Sequence, residues 1–241
     1  MKAWLKKNKY FVGAIGLGTI GLICYAFFAN LSHKEEFTRE AETLLSSGLE
    51  EAKKPEIQAK TTESVQSDVV TGAEETTQSD ETAIPTSVEL SEGERPTVEM
   101  IREAQKNFSK VKNDVLGTIS IPSIDLEMPI LQGDSFEKML YGACTVLPKQ
   151  TMGKGNYTLA AHNAGVDGLM FSSLNKVSKG ALIMLQDRSG HVYNYKVKEQ
   201  RHVDMTDTSI LNLTRKPTLT LITCDKATKT TGRIVVIAEL I

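Results

Sequence analysis

From Val115 to the C-terminus, apolar positions fall in short runs broken by Gly, Pro, Asn and Asp. The runs are "VLGTISIPSI", "MPILQG", "NYTLAAH", "ALIMLQD", "HVYNYKVKEQRHV", "TLTLITC" and "RIVVIAEL". They are rich in β-branched residues or alternate with a period of two, so they predict strands, and strands this short with turns this frequent predict a closed barrel or a sandwich. The expected class is dominated by β structure. "DRSG" between the fourth and fifth runs predicts a hairpin turn, and "SFEKMLYGA" and "GLMFSSLNKV" predict short connecting helices. Pro122 and Pro129 confine the first two runs to sheet edges or strand starts, because proline cannot donate to the ladder.

Upstream the pattern changes twice. Residues 10–31 form an uncharged, largely apolar stretch preceded by Lys2, Lys6, Lys7 and Lys9. Its length suits a bilayer-spanning helix, and the lysines before it predict a cytoplasmic N-terminus with the rest of the chain exported. A cleaved signal peptide needs a shorter apolar core and an A-x-A-like site, so the run is expected to be retained as an anchor. Residues 32–100 carry six basic and seventeen acidic side chains, and Arg95 is the only basic residue between positions 61 and 100. Few aromatics and abundant Glu, Thr, Ser and Gln predict a disordered stalk, extended by self-repulsion rather than folded back over the following domain. Within it, "FTREAETLLSSGLEEAKK" predicts a transient helix through Phe37, Leu44 and Leu45, with no partner face following. Residues 101–241 carry eighteen basic and thirteen acidic side chains. Three regions are therefore expected: an anchor over 1–31, a stalk over 32–100 and a folded domain over 101–241.

Candidate chemistry narrows the picture further. The chain has three cysteines, one of which, Cys24, lies in the apolar run. Cys144 and Cys224 remain in the exported part, where they could pair as a disulfide or serve as reactive thiols. Cys224 ends one apolar run and His162 ends another, so two strands would deliver a thiol and an imidazole to one rim. Arg233 opens the final run, and an antiparallel return would bring its guanidinium beside the thiol. A thiol nucleophile requires a proton partner and a donor for the developing oxyanion, which these three residues can provide. His191 and His202 are expected at the surface, and Asp225 in a loop or cap. No P-loop, Gly-rich dinucleotide motif, C-x-x-C or clustered His/Cys spacing occurs, so no cofactor, metal or nucleic-acid partner is expected.

"GTISIPSIDLEMPILQG", the "LAAH" histidine, "TLITC" and the downstream Arg233 occur in an order and spacing that resemble the sortases, the membrane-anchored cysteine transpeptidases of Gram-positive bacteria. The resemblance covers about residues 115–241. The single N-terminal apolar segment and the "TLxTC" form are more similar to the housekeeping class A than to pilus-polymerising class C. It implies an eight-stranded β-barrel and an activity with no cofactor. It also implies that Cys224 attacks the Thr-Gly carbonyl of an LPxTG-type sorting signal, with His162 as acid and base, Arg233 as a donor and Thr223 as an added backbone or hydroxyl donor. The implied partners are surface proteins bearing that signal, a peptidoglycan-precursor amine (lipid II) and the membrane, with the catalytic domain outside the cell. Two positions depart from the family pattern: Asn163 stands where many relatives have a second histidine, and Cys144 where a small residue is usual. An L,D-transpeptidase-like enzyme is disfavoured, because its His and Cys lie close in sequence. The remaining alternatives are a tethered adhesin with a Cys144–Cys224 disulfide and a pilus-type sortase.

Overall fold

The computed structural model describes residues 95–241, together with residues 43, 45, 46, 48–50, 52 and 53, which are helical. The apolar run at 10–31 and most of the acidic segment lie outside the described residues. Among the described residues no helix is long and apolar enough to cross a membrane.

Eight strands close into a barrel in the order β1-β2-β3-β4-β7-β8-β6-β5. They are β1 (Val115–Ile121), β2 (Leu126–Leu131), β3 (Ala143–Thr145), β4 (Asn156–Ala160), β5 (Leu182–Asp187), β6 (Val192–Asp204), β7 (Thr218–Cys224) and β8 (Gly232–Leu240). Seven coincide with the apolar runs. β3 is the exception, lying in the "YGAC" stretch that the sequence assigns to the end of a helix; that helix is a single turn, Lys138–Leu140. Three residues are too few for a period-two pattern. β3 exists because it pairs parallel to β2 through Ile130↔Ala143 and antiparallel to β4 through Cys144↔Ala160. Pro129 sits within β2, opposite Thr118 of β1, while β2 meets β3 only from Ile130 onward. The missing proline N–H therefore faces a stretch where no second ladder runs.

β7 is buried along almost its whole length because it lies between β4, to which it is parallel, and β8, to which it is antiparallel. Leu219 and Leu221 on one face are fully buried. On the other face Thr220 Oγ1 donates to Asn156 Oδ1 at 2.7 Å, and Asn156 Nδ2 donates to the carbonyls of Ile210 and Asn212. The connection from β6 to β7 is thereby pinned over the outside of the sheet.

Helix α1 (Val98–Lys106) precedes the barrel. Thr97 caps it, its Oγ1 accepting from Met100 N at 3.1 Å, and Glu99 in the first turn and Lys106 in the last complement the helix dipole. Ile101 is fully buried, and Gln105 Nε2 donates to the carbonyls of Leu140 and Tyr141 at 3.1 and 3.0 Å. α1 is thereby fastened to the barrel.

The helical residues upstream have a partner face after all. Leu45 and Ala52 are both buried in the core cluster. Gly48 lies so close to Phe108 that a Cβ there would come within 2.6 Å of the ring. Lys53 Nζ meets Glu127 Oε1 of β2 at 2.6 Å, an exposed pair that orients more than it stabilises. The sequence shows only half of this interface, because Phe108, which packs on Gly48, lies sixty positions downstream.

Candidate active site

The site is built at one end of three hydrogen-bonded strands. β4 and β7 run parallel with Ala160 level with Ile222, and Ala161 N extends the ladder by donating to Ile222 O at 3.2 Å. Two residues beyond that pair, His162 follows the end of β4 and Cys224 ends β7, so both reach the same rim. On the other side of β7, Cys224 is the last residue paired with β8, and its partner is Arg233. Residues directly opposite in an antiparallel ladder project to the same face, so the arginine stem rises beside the thiol. Cys224, His162 and Arg233, separated by up to 71 positions in sequence, are therefore brought together by register alone.

His162 is 8% exposed. Its ring packs edge-on against Phe136, with centroids 4.6 Å apart, and Nε2 lies 3.0 Å from the Phe136 carbonyl. A carbonyl can only accept, so Nε2 carries the proton in the neutral ring and Nδ1 keeps the lone pair that a base needs. Burial, above all, holds the imidazole below its ordinary pKa; the Phe136 carbonyl opposes this, the positive charge of Arg95 adds to it, and Glu137 opposes it.

Arg233 is almost wholly buried, and its Nη1 donates to the carbonyls of Gly232 at 3.0 Å and Thr230 at 3.4 Å. The guanidinium thus ties down the β7–β8 connection. Asp225 braces the same connection. Its Oδ1 accepts from Thr230 Oγ1 at 2.6 Å, and its Oδ2 lies 2.9 Å from His202 Nε2. Burial, the largest single cause, pushes its carboxyl up, but the hydrogen bonds from Thr230 and His202 and the nearby Lys226 charge outweigh it and hold the carboxyl below the usual carboxylate range. Gly232 makes room for this carboxylate, since a Cβ there would lie 2.5 Å from Oδ2. His202 is exposed, as the sequence predicts, but it also works as the far end of this brace.

Thr223 does not stand at the thiol. It is buried on the opposite face of β7, and its hydroxyl donates to Ala161 O at 2.8 Å, which commits that proton to holding β7 against the His162 loop. The expected hydroxyl contribution to an oxyanion site is corrected accordingly: period-two alternation turns neighbours of Cys224 away from it. Asn163 joins the two strand ends. Its Nδ2 donates to Cys224 O at 2.9 Å while its Oδ1 accepts from Gly165 N at 3.0 Å, so one amide clamps the cysteine backbone to the histidine loop. Asn163→Ala is expected to lower kcat about tenfold with KM held, well short of the ~10²-fold that a 1 Å misplacement can cost. Steady-state kinetics beside a melting curve check this, and an unchanged kcat would reduce Asn163 to a loop residue.

Cys144 and Cys224 are both free thiols, Cys144 buried in β3 and Cys224 partly open at the end of β7. This removes the disulfide on which the adhesin alternative rests. Burial, far more than any nearby charge, pushes the Cys144 thiol up, so it stays protonated and inert. Among the described residues no group of three or more His, Cys, Asp and Glu side chains converges as metal ligands would.

Residues 119–241 match the family model of the sortase domain. The chain belongs to the sortase family. It is 37% identical over 145 residues to sortase A of Listeria monocytogenes, covering 60% of this chain and 64% of that one. It is 38% identical over 135 residues to sortase A of Bacillus anthracis, covering 56% and 64%. The chain therefore spans just under two thirds of the length of these curated relatives. The crystal structure of Listeria monocytogenes sortase A superposes with a TM-score of 0.52 at 39% identity, covering 53% of this chain and 88% of that structure. The sortase barrel of this chain thus carries Cys224, His162 and Arg233 on the rim where β4 and β7 end and β8 begins.

Proposed function

We propose that this sortase is a cysteine transpeptidase that cleaves an LPxTG-type sorting signal between Thr and Gly and passes the acyl portion to an amine of a peptidoglycan precursor. The observation that carries the reading is the convergence of a free, partly open thiol, an imidazole with its lone pair on Nδ1, and a guanidinium at one barrel rim.

In this mechanism His162 Nδ1 takes the thiol proton and Cys224 Sγ forms a bond to the Thr carbonyl carbon. Negative charge collects on the former carbonyl oxygen, where the Arg233 guanidinium donates. Collapse breaks the C–N bond, and the departing glycine amine takes its proton from the His162 imidazolium, leaving a thioester on Cys224. The acceptor amine then attacks the thioester, loses a proton to His162, and the thiolate leaves to regain that proton. The lowered basicity of His162 suits it for giving a proton back as well as taking one. Water in place of the amine yields hydrolysis. The surface-protein substrates, the lipid II acceptor and a membrane anchor through residues 10–31 with the barrel outside the cell all belong to this proposal.

The test is to incubate the protein with a fluorescent LPxTG-containing peptide, with and without an oligoglycine amine, and follow the products by mass spectrometry. Cleavage between Thr and Gly, with the new peptide bond formed only when the amine is present, is the expected result. Absence of both products would overturn the proposal.

A further inference from the structure

The face that carries the thiol runs on to a positively charged cleft. Period-two alternation places Thr218, Thr220, Ile222 and Cys224 on one face of β7, and their antiparallel partners Glu239, Ile237, Val235 and Arg233 share it. At the end of this face far from Cys224 lies a cleft of about 500 Å³, bounded by β6, by the far ends of β7 and β8 and by the β6–β7 connection. Four cations line it, Lys198, Arg201, Arg215 and Lys216, against two carboxylates, Glu199 and Glu239. Lys198 and Lys216 share Glu239 Oε2 at 3.2 and 3.6 Å, and Arg201 pairs with Glu199, which leaves Arg215 with no carboxylate among the described residues. The wall is preformed, because Asn156 Nδ2 holds the connection through the Ile210 and Asn212 carbonyls, and Leu213 on that wall is 87% exposed.

We infer that this cleft receives the residues that precede the sorting motif and selects substrates in which those residues are acidic. The inference deepens the transpeptidase reading and rests on it. Length carries it first: Cys224 and Thr218 lie at the two ends of β7, about 20 Å apart at roughly 3.3 Å per residue. With the Thr carbonyl at Cys224 Sγ, the Leu-Pro-x-Thr part of an extended peptide spans about 13 Å, and the two residues before it cover the rest. β4 and β7 end at the rim and β8 begins there, so the sheet offers a floor to the acyl side only toward the cleft. Charge carries it next. A carboxylate placed there meets Arg215 and the two lysines that share Glu239, while a lysine adds to an existing excess of positive charge. Leu213 offers the stem of that side chain an apolar contact. These contacts are open to solvent and remote from the reacting atoms, so they act on KM rather than kcat and fade with salt. Arg95, whose Nη1 donates to Cys224 Sγ at 3.5 Å, is a cation at the opposite end of the face, beside the motif itself.

The test uses the full-length protein and three fluorescent peptides that share one LPxTG motif and differ only in the two residues before it: Glu-Glu, Gln-Gln or Lys-Lys. Within each enzyme the ratio of kcat/KM for Glu-Glu over Lys-Lys is read at low and high salt, so any general loss of activity cancels. The wild-type protein should prefer Glu-Glu about tenfold at low salt, through KM, with Gln-Gln between the two and the ratio falling toward one at high salt. Arg215→Glu should reduce that ratio several-fold. A ratio unmoved in Arg215→Glu but lost in Arg95→Gln would assign the preference to the rim and overturn the inference. A wild-type ratio of one at low salt would overturn it as well; if inorganic polyphosphate then raised the melting temperature, the cleft would be a polyanion seat instead. Fluorescence anisotropy of the same peptides reads the preference without turnover. Preferential binding of Glu-Glu with no cleavage of any peptide would sink the transpeptidase reading and leave the cleft as an acidic-peptide site. Cleavage of all three alike would sink the role of the cleft alone.

Discussion

Cys224→Ala removes peptide cleavage and amine transfer together, lowering turnover by about four orders of magnitude or more, because losing the nucleophile closes the whole covalent route. The fold should survive. Cys224 is the last residue of β7 and partly open, so deleting one sulfur leaves no enclosed cavity, and the melting temperature should stay within a few degrees of wild type. The decisive measurement is intact mass after mixing with peptide: the wild-type protein gains the mass of the acyl fragment, and the variant gains nothing. Retention of more than about a tenth of wild-type transfer would refute the mechanism.

Arg233→Lys should cost about 10²-fold in kcat/KM, the scale seen when one oxyanion donor is lost. Lysine keeps the charge but presents a single point in place of a planar fork, and here Arg233 is the ladder partner of Cys224 while its fork holds the Thr230 and Gly232 carbonyls. Because the group is buried, truncation to alanine would confuse catalysis with loop collapse, which makes the lysine variant the informative one. A fall confined to kcat, with the melting temperature little changed, marks a transition-state role. Near-normal kinetics would leave Arg233 as a generic cation.

What the sequence discloses follows from how each feature is encoded. Long alternating runs encode their own strands, which is why β1, β2 and β4 to β8 are all legible, whereas β3 is written only in its neighbours. Cys224, His162 and Arg233 are legible because each stands at the boundary of such a run, and a rim residue has chemistry to explain. Asn163 and Asp225 stand at similar boundaries, yet their roles depend on the parallel β4–β7 register and on a contact to His202 of β6, neither of which local pattern specifies. The Thr223 hydroxyl shows the converse: it adjoins Cys224 along the chain, yet the pleat turns it to Ala161 O. Arg95 is conspicuous in composition, as a lone cation in an acidic stretch, but nothing local says where it lands.

The helical residues near position 48, seated on Phe108 and Glu127, change how far the barrel can travel from any anchor. Were the entire stretch from 32 to 100 a free leash, its contour would exceed 200 Å. With residue 45 already docked on the barrel, a chain fixed through residues 10–31 leaves only 32–42 between the two, at most about 40 Å when fully drawn out. Residues 53 and 95 are then both tied to the same body. Such a barrel would work close to the surface that holds it, meeting substrates as they emerge rather than searching for them across the envelope.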